Sequence, residues 1–240
     1  MSTATKAAKR QKSSGFLRRV LRWVLIIVVL MVAIPIVLVP LYALVPPPAS
    51  TLMLTHYLTG KSVTRDWVGL SEISDNLPTA VLMSEDGQFC AHHGVDWNAV
   101  RDVVESVRDG ERARGASTIT MQTVKNLYLW PSRSYLRKAL EVPLALYADF
   151  VWSKRRTMTL YLNIAEWGPG IFGAEAAAQH YFNKPASSLS RREAARLAAV
   201  LPNPFVRNAA RPGPHTARIT RIIEQRMRQA GPYDDCVESG

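Results

Sequence analysis

The chain has 240 residues, 48% of them hydrophobic, which is enough for one sizeable core once an apolar N-terminal stretch is set aside. Its formal net charge is +11, but seven of its thirty basic residues fall within 1–22, where no acid occurs, and beyond them 23 basic residues face 19 acidic ones. The basicity therefore belongs to a tail and gives no ground for a nucleic-acid partner. The two cysteines, Cys90 and Cys236, are far apart and are compatible with either a pair or two free thiols, and no zinc-ligand spacing or internal repeat is present.

Residues 1–22 form the basic tail, and its first fifteen residues are expected to be disordered. Residues 23–45 contain no charged side chain and are rich in Leu, Val and Ile. As a helix they span roughly 34 Å, enough to cross a hydrocarbon core of about 30 Å. The run is too long for the apolar centre of a cleaved signal peptide. Pro35 and Pro40 are tolerated in a membrane helix. With the basic flank on the N-terminal side, the tail is expected in the cytoplasm and everything after Val45 across the membrane. Pro46-Pro47-Pro48 opens a stiff spacer, and 46–69 reads as a linker and membrane-proximal segment.

The soluble part, 70–230, carries helical patterns and no convincing alternating strand, which makes it all-α. Asp96 is placed to cap a helix whose Trp97, Val100, Val103, Val104 and Val107 form an apolar face. Ser117 or Thr118 caps the next helix, after a turn at Arg114-Gly115-Ala116. Ser134 caps a long helix to about Trp152, with a bend expected at Pro143. Ser153 starts another, through Asn163, and Trp167-Gly168-Pro169-Gly170 reads as a loop. Ala174 to Tyr181 is rich in small residues suited to close packing. Ser190 and Glu193 form a capping box, and Ile219, Ile222, Ile223 and Met227 give the last helix a core-facing stripe. Residues 231–240 are left as a C-terminal tail.

Three stretches combine the residue types that chemistry needs. Glu85-Asp86 follows an apolar run, Ala80 to Met83, and a carboxylate against an apolar wall can have its pKa raised toward neutrality. Alone, the stretch also fits a helix end with its acids in a turn, Phe89 in the core and His92 bonded to backbone. Gly115 to Asn126 joins a glycine turn to a helix N-terminus, a setting that suits an anion, although the Walker ending is missing. Arg137 and Glu141 are four residues apart and share a helical face.

Together these stretches resemble the peptidoglycan glycosyltransferases of family 51. Glu85-Asp86 with Phe89, His92, Gly94 and Asp96 is similar to the motif EDxxFxxHxGxD. Gly115 to Asn126 is similar to GGSTITQQxxKN, and Arg137 to Glu141 to RKxxE. Ser153-Lys154 with Tyr161-Leu162-Asn163 is similar to SKxxILExYLN. The resemblance runs from about Leu70 to Pro204 and leaves no room for a penicillin-binding transpeptidase domain, as in the monofunctional biosynthetic transglycosylases. Ala116, Met121 and Thr159 depart from the pattern, which has Gly, Gln and Glu there.

The resemblance implies a lysozyme-like, two-lobed helical domain behind one transmembrane helix, in the bacterial inner membrane with the catalytic domain periplasmic. It implies polymerisation of lipid II into β-1,4-linked glycan strands, with inversion and release of undecaprenyl diphosphate. Glu85 would be the general base and Glu141 its assistant. Asp86, Phe89, His92, Ser117, Thr118, Gln122, Lys125, Arg133 and Arg137 would bind substrate, the cations holding the leaving diphosphate. No cofactor is required by the sequence, although a divalent cation, magnesium or manganese, is compatible with a diphosphate. Expected partners are lipid II, the growing glycan, the membrane, and other cell-wall synthesis or division proteins. Two rivals stand behind this reading: a glycan-cleaving lytic transglycosylase or muramidase, and a non-catalytic cell-wall assembly protein.

Overall fold

The structure is a computed structural model that describes residues 3–111, 115–132 and 134–238, so Arg114 and Arg133 lie outside the described residues. Helix α1 (Thr3–Leu44) is 42 residues long, and its segment Phe16–Leu44, with mean hydropathy 3.3, is long and apolar enough to cross a membrane. Pro35 and Pro40 lie inside it without ending it. The helix extends back into the stretch expected to be disordered. Ala, Lys, Arg and Gln there are good helix formers, and extending a formed helix costs little.

The remainder, Ala43–Gly240, is a separate compact unit. Its elements in order are α2 (Thr51–Leu58), β1 (Thr64–Arg65), α3 (Asn76–Glu85), α4 (Trp97–Arg108), α5 (Ile119–Tyr128), α6 (Tyr135–Val151), α7 (Lys154–Ile164), β2 (Glu166–Gly168), β3 (Ile171–Phe172), α8 (Ala174–Phe182), α9 (Arg191–Val200), α10 (Pro214–Met227) and α11 (Gly231–Glu238). Side-chain caps start the helices where polar residues precede apolar runs. Asp96 accepts from the amides of Asn98 and Ala99, and Thr118, Ser134 and Ser153 each accept from the third residue on. Ser190 and Glu193 form the reciprocal box. Pro143 lies inside α6, which continues to Val151.

The helices fall into two groups. α3, α9 and α10 pack together, α5 packs on α6, and α7 bridges the groups through α5 on one side and α8 and α11 on the other. This is the all-α, two-part arrangement that the resemblance implies. Leu77, Val81 and Leu82 of α3, Met158 and Leu162 of α7, and the alanine faces of α8 and α9 fill the core around Phe89 and Trp167.

Three local readings are corrected, and the apolar face of α4 is located. The stretch expected as a loop at Trp167–Gly170 is the hairpin β2–β3, and β3 also pairs in parallel with β1. Strands of two and three residues are too short to show alternation, and Trp167 and Phe172 are both fully buried. The apolar stripe of α4 does not face the core. None of its residues is fully buried, and Trp97, Val104 and Val107 are each more than half exposed. The spacer after the prolines holds α2, which is tied to α5 by Thr51 Oγ1 donating to the carbonyls of Asn126, 2.8 Å, and Leu129, 2.6 Å. The segment after 230 is helical, and Cys236 within it is disulfide-bonded to Cys90, with Cα atoms 5.7 Å apart. Thr79 donates to Asp234, 2.9 Å, and Arg155 to the carbonyl of Val237, 2.9 Å, so α11 lies across α3 and α7.

Two departures from the family pattern now have positions. Met121 is buried on the core side of α5, where a thioether packs better than an amide. Thr159 is buried within α7 and donates to the carbonyl of Arg155, 2.8 Å. It supplies no acid to the site.

Candidate active site

Glu85 is the last residue of α3, where the helix runs out of the apolar core. Its carboxylate accepts from Gln122 Nε2 of α5 at 3.1 Å and from Ser84 Oγ at 3.3 Å. Tyr161 of α7 donates its hydroxyl to Gln122 Oε1, 3.3 Å, which fixes the amide so that its NH₂ faces Glu85. Burial pushes the Glu85 carboxyl above its ordinary range. The two hydrogen bonds and the charges of Arg207 and Lys125 oppose that shift without cancelling it. Burial also raises the Tyr161 hydroxyl, with Glu85 and Asp86 adding to the effect, so it remains a donor.

The residue beside Glu85 has a different task. Asp86 is buried and accepts from the Ile119 amide at 2.8 Å and from His92 Nε2 at 2.9 Å. It ties the loop after α3 to the N-terminus of α5. Phe89 has no exposed surface; Lys154 Nζ lies 4.8 Å from its ring centre and the His92 ring meets it edge-on. Asp86, Phe89 and His92, expected to bind substrate, are buried and brace the loop that follows Glu85. For Phe89 the simpler sequence reading holds, while His92 bonds to a carboxylate instead of backbone. Thr118 is likewise buried, donating to the Gly94 carbonyl at 2.6 Å while capping α5. Gly94 has φ +76°, and a Cβ there would stand 2.5 Å from the Ala145 carbonyl oxygen, so only glycine allows this approach.

A cluster of cations stands on the other side of Gln122. Lys125 follows Gln122 by one turn of α5 and borders two cavities, one of about 410 Å³ with Gln122 and Tyr161, the other of about 320 Å³ with Arg137. Burial lowers the pKa of Lys125, and Arg137 lowers it further, against an opposing pull from Glu85. Glu141 is 2% exposed, with one oxygen on Arg137 and the other 2.9 Å from Lys138 Nζ. Lys138 also donates to Ser117 Oγ at 2.7 Å, which brings the predicted Ser117 into the cluster. The Lys138 pKa is lowered to about 8 by burial and by its neighbours Arg137 and Lys125. Among the described residues no group of three or more His, Cys, Asp or Glu side chains stands together. The donors here are cations and amides, a set suited to anions rather than to a resident metal ion.

The structure therefore brings Glu85, Gln122 and Lys125 together, and beside them Arg137, Glu141 and Ser117. Arg133 lies outside the described residues. Sequence reasoning missed Lys138, Tyr161 and Arg207. Lys138 precedes Glu141 by three residues, a same-face spacing visible in the sequence. Tyr161 sits inside a motif that had already been quoted. Arg207 carried no local signal.

Residues 52–228 match the family model described as Transglycosylase. A biosynthetic peptidoglycan transglycosylase of Agrobacterium fabrum is 57% identical over 205 residues, 85% of this chain and 91% of its own length. Proteins of that description from Brucella suis and Rhodopseudomonas palustris are 53% and 49% identical, each covered over 95% of its length. The chain belongs to the transglycosylase family and is a glycosyltransferase of peptidoglycan biosynthesis.

Proposed function

We propose that the enzyme polymerises lipid II into β-1,4-linked glycan strands, with inversion and release of undecaprenyl diphosphate. The observation that carries this reading is a half-buried Glu85 of raised pKa, held by Gln122 beside the cations Lys125 and Arg137. Glu85 takes the proton from the acceptor's 4-hydroxyl. A raised pKa makes its ionised form a stronger base. Lys125 and Arg137, with Lys138 behind them, stabilise negative charge on the departing diphosphate. Glu141, fully paired, orients Arg137 and Lys138 and is a positioning residue. Gln122 orients Glu85. The diphosphate brings its own oxygens to any magnesium or manganese ion that accompanies it.

The reading extends to location. An N-terminal tail in the cytoplasm and a catalytic domain of about residues 70–230 outside the inner membrane are supported by the basic flank of α1. The Cys90–Cys236 bond fits an oxidising compartment. Other cell-wall synthesis or division proteins are the expected company. A lytic enzyme would also use a raised glutamate as an acid, but it has no use for the Lys125 and Arg137 cluster.

The test is glycan synthesis by the detergent-purified protein given lipid II, with finished glycan as a parallel substrate. Glu85→Gln is expected to lower the rate about 10²–10⁴-fold without lowering the melting temperature. Near-normal synthesis by the folded variant would remove Glu85 as the base.

A further inference from the structure

A cavity of about 420 Å³ is enclosed by α3, α7 and α11 and shares no lining residue with the two that Lys125 borders. Asp75 and Thr79 from the head of α3, Arg155 of α7 and Asp234 of α11 line it, and Leu70 and Pro78 give it an apolar wall. Its volume lies within the ~300–1,000 Å³ range of small-molecule sites. Asp75 immediately precedes α3, which is 10 residues long and ends at Glu85. The two ends of that helix are roughly 15 Å apart, so this cavity is not the one that serves Glu85.

The charges in the cavity do not form an ion pair with one another. Asp234 is 6% exposed; one of its carboxylate oxygens accepts from Thr79 at 2.9 Å, and the other has no donor among the described residues. Arg155 is half-buried and donates to the Val237 carbonyl at 2.9 Å, which uses one of the five N–H donors of a guanidinium. Among the described residues it pairs with neither Asp234 nor Asp75. Asp75 does not use its carboxylate to cap α3. A charge withdrawn from water is costly unless it is paired. A buried carboxylate and a guanidinium that line one cavity without meeting are complementary to a molecule that meets both.

We infer that this cavity binds a small zwitterion, an amino acid or a short peptide with both ends free. The ammonium group faces Asp234 and Asp75, the carboxylate faces the Arg155 fork, and the carbon skeleton lies on Leu70 and Pro78. A lone cation meets the repulsion of Arg155, and a lone anion meets that of the two acids. A guanidinium matches a carboxylate in shape as well as in charge. The two ends of the ligand are thus held by different helices. When bound, it ties α11 to α3 and α7 alongside the Cys90–Cys236 bond. This inference does not depend on the proposed lipid II transfer.

The test uses the full-length protein in detergent. Alanine and alanylalanine serve as the zwitterions, and N-acetylalanine and alaninamide as relatives that carry one charge each. Titration calorimetry is expected to show saturable binding of at least one zwitterion, with each singly charged relative at least tenfold weaker. At a hundredfold excess over Kd, the melting temperature is expected to rise by about 5–10 °C. Arg155→Gln keeps a donor for the Val237 carbonyl, and Asp234→Asn keeps an acceptor for Thr79; each removes one charge. Each is expected to weaken zwitterion binding at least tenfold. If Asp234→Asn lowers the melting temperature of the unliganded protein, Arg155→Gln decides the matter. Equal binding of the zwitterions and their singly charged relatives would overturn the inference, as would wild-type affinity in Arg155→Gln or no saturable binding at all. Saturable binding of calcium ions that neither zwitterion displaces would also overturn it and make the cavity a cation site.

Discussion

Gln122 shows how much of this site is set by single hydrogen bonds. Its amide is turned by Tyr161, and only in that orientation does it donate to Glu85. Lys138 makes the clearest pH prediction. In the fold its amine gives up its proton at about 8, well below the ordinary lysine value, so above that pH the fold holds fewer protons than the unfolded chain. Charge is lost from the cluster there, and stability rises with pH between about 8 and the unfolded value. Synthesis is therefore expected to fall along an alkaline limb near pH 8, and Lys138→Arg should move that limb upward because arginine stays protonated. On the proposed mechanism the acid limb belongs to Glu85, whose carboxyl is raised and would have to be ionised to act as a base. Rates across pH 5–10 for both proteins check this; an unmoved alkaline limb would remove Lys138 from the site. Most of these groups were legible as residue types at fixed spacing. Glu85, Gln122, Lys125 and Arg137 were readable because ordered motifs place them on α3, α5 and α6. That Phe89, His92 and Thr118 are buried was not legible, because spacing names the loop but not which side of it faces solvent.

At the scale of elements, caps were the most legible feature. Asp96, Thr118, Ser134 and Ser190 announce helices locally, by side chains that satisfy the first free amides. Burial partners were not legible in the same way. The stripe on α4 repeats at helical spacing, yet Trp97, Val104 and Val107 stay exposed, because periodicity defines a face and says nothing of what covers it. The small sheet and α11 were missed for related reasons. The strands are too short for a period, and α11 takes its place from tertiary ties. Those ties can be tested. Cys90→Ser with Cys236→Ser is expected to lower stability by about 2–4 kcal/mol and the melting temperature by roughly 5–15 °C. Because Cys90 lies in the loop that follows Glu85, the rate below the melting range is expected to fall as well. A calorimetric melt and an initial rate on one preparation measure both, and unchanged values would show α11 to be held without the bond.

At the scale of the whole molecule, the chain is an apolar helix followed by a folded enzyme. The expected role of the helix follows from the proposed substrate: a lipid-linked donor would be confined to two dimensions, and an anchored enzyme would share that confinement. Removing residues 1–45 is expected to leave a folded domain that works in detergent but is at least several-fold slower on lipid II in vesicles. Equal vesicle rates would make the helix an address only. The spacer after the helix carries more than a connection. Leu52, Thr55 and His56 of α2 border the cavity of about 410 Å³ that Gln122 and Lys125 also line, so a truncation past Ser50 should damage the enzyme where one at Val45 does not.

The Cys90–Cys236 bond also has a bearing on how the chain is made. Cys90 emerges 146 residues before its partner, so for most of synthesis it has nothing within the chain to join. With only two cysteines in the sequence, no wrong internal pairing exists. Every competing product must involve a second molecule. On the proposed topology, a chain that closes this bond has brought both the segment after α3 and α11 across the membrane, and closure marks their arrival.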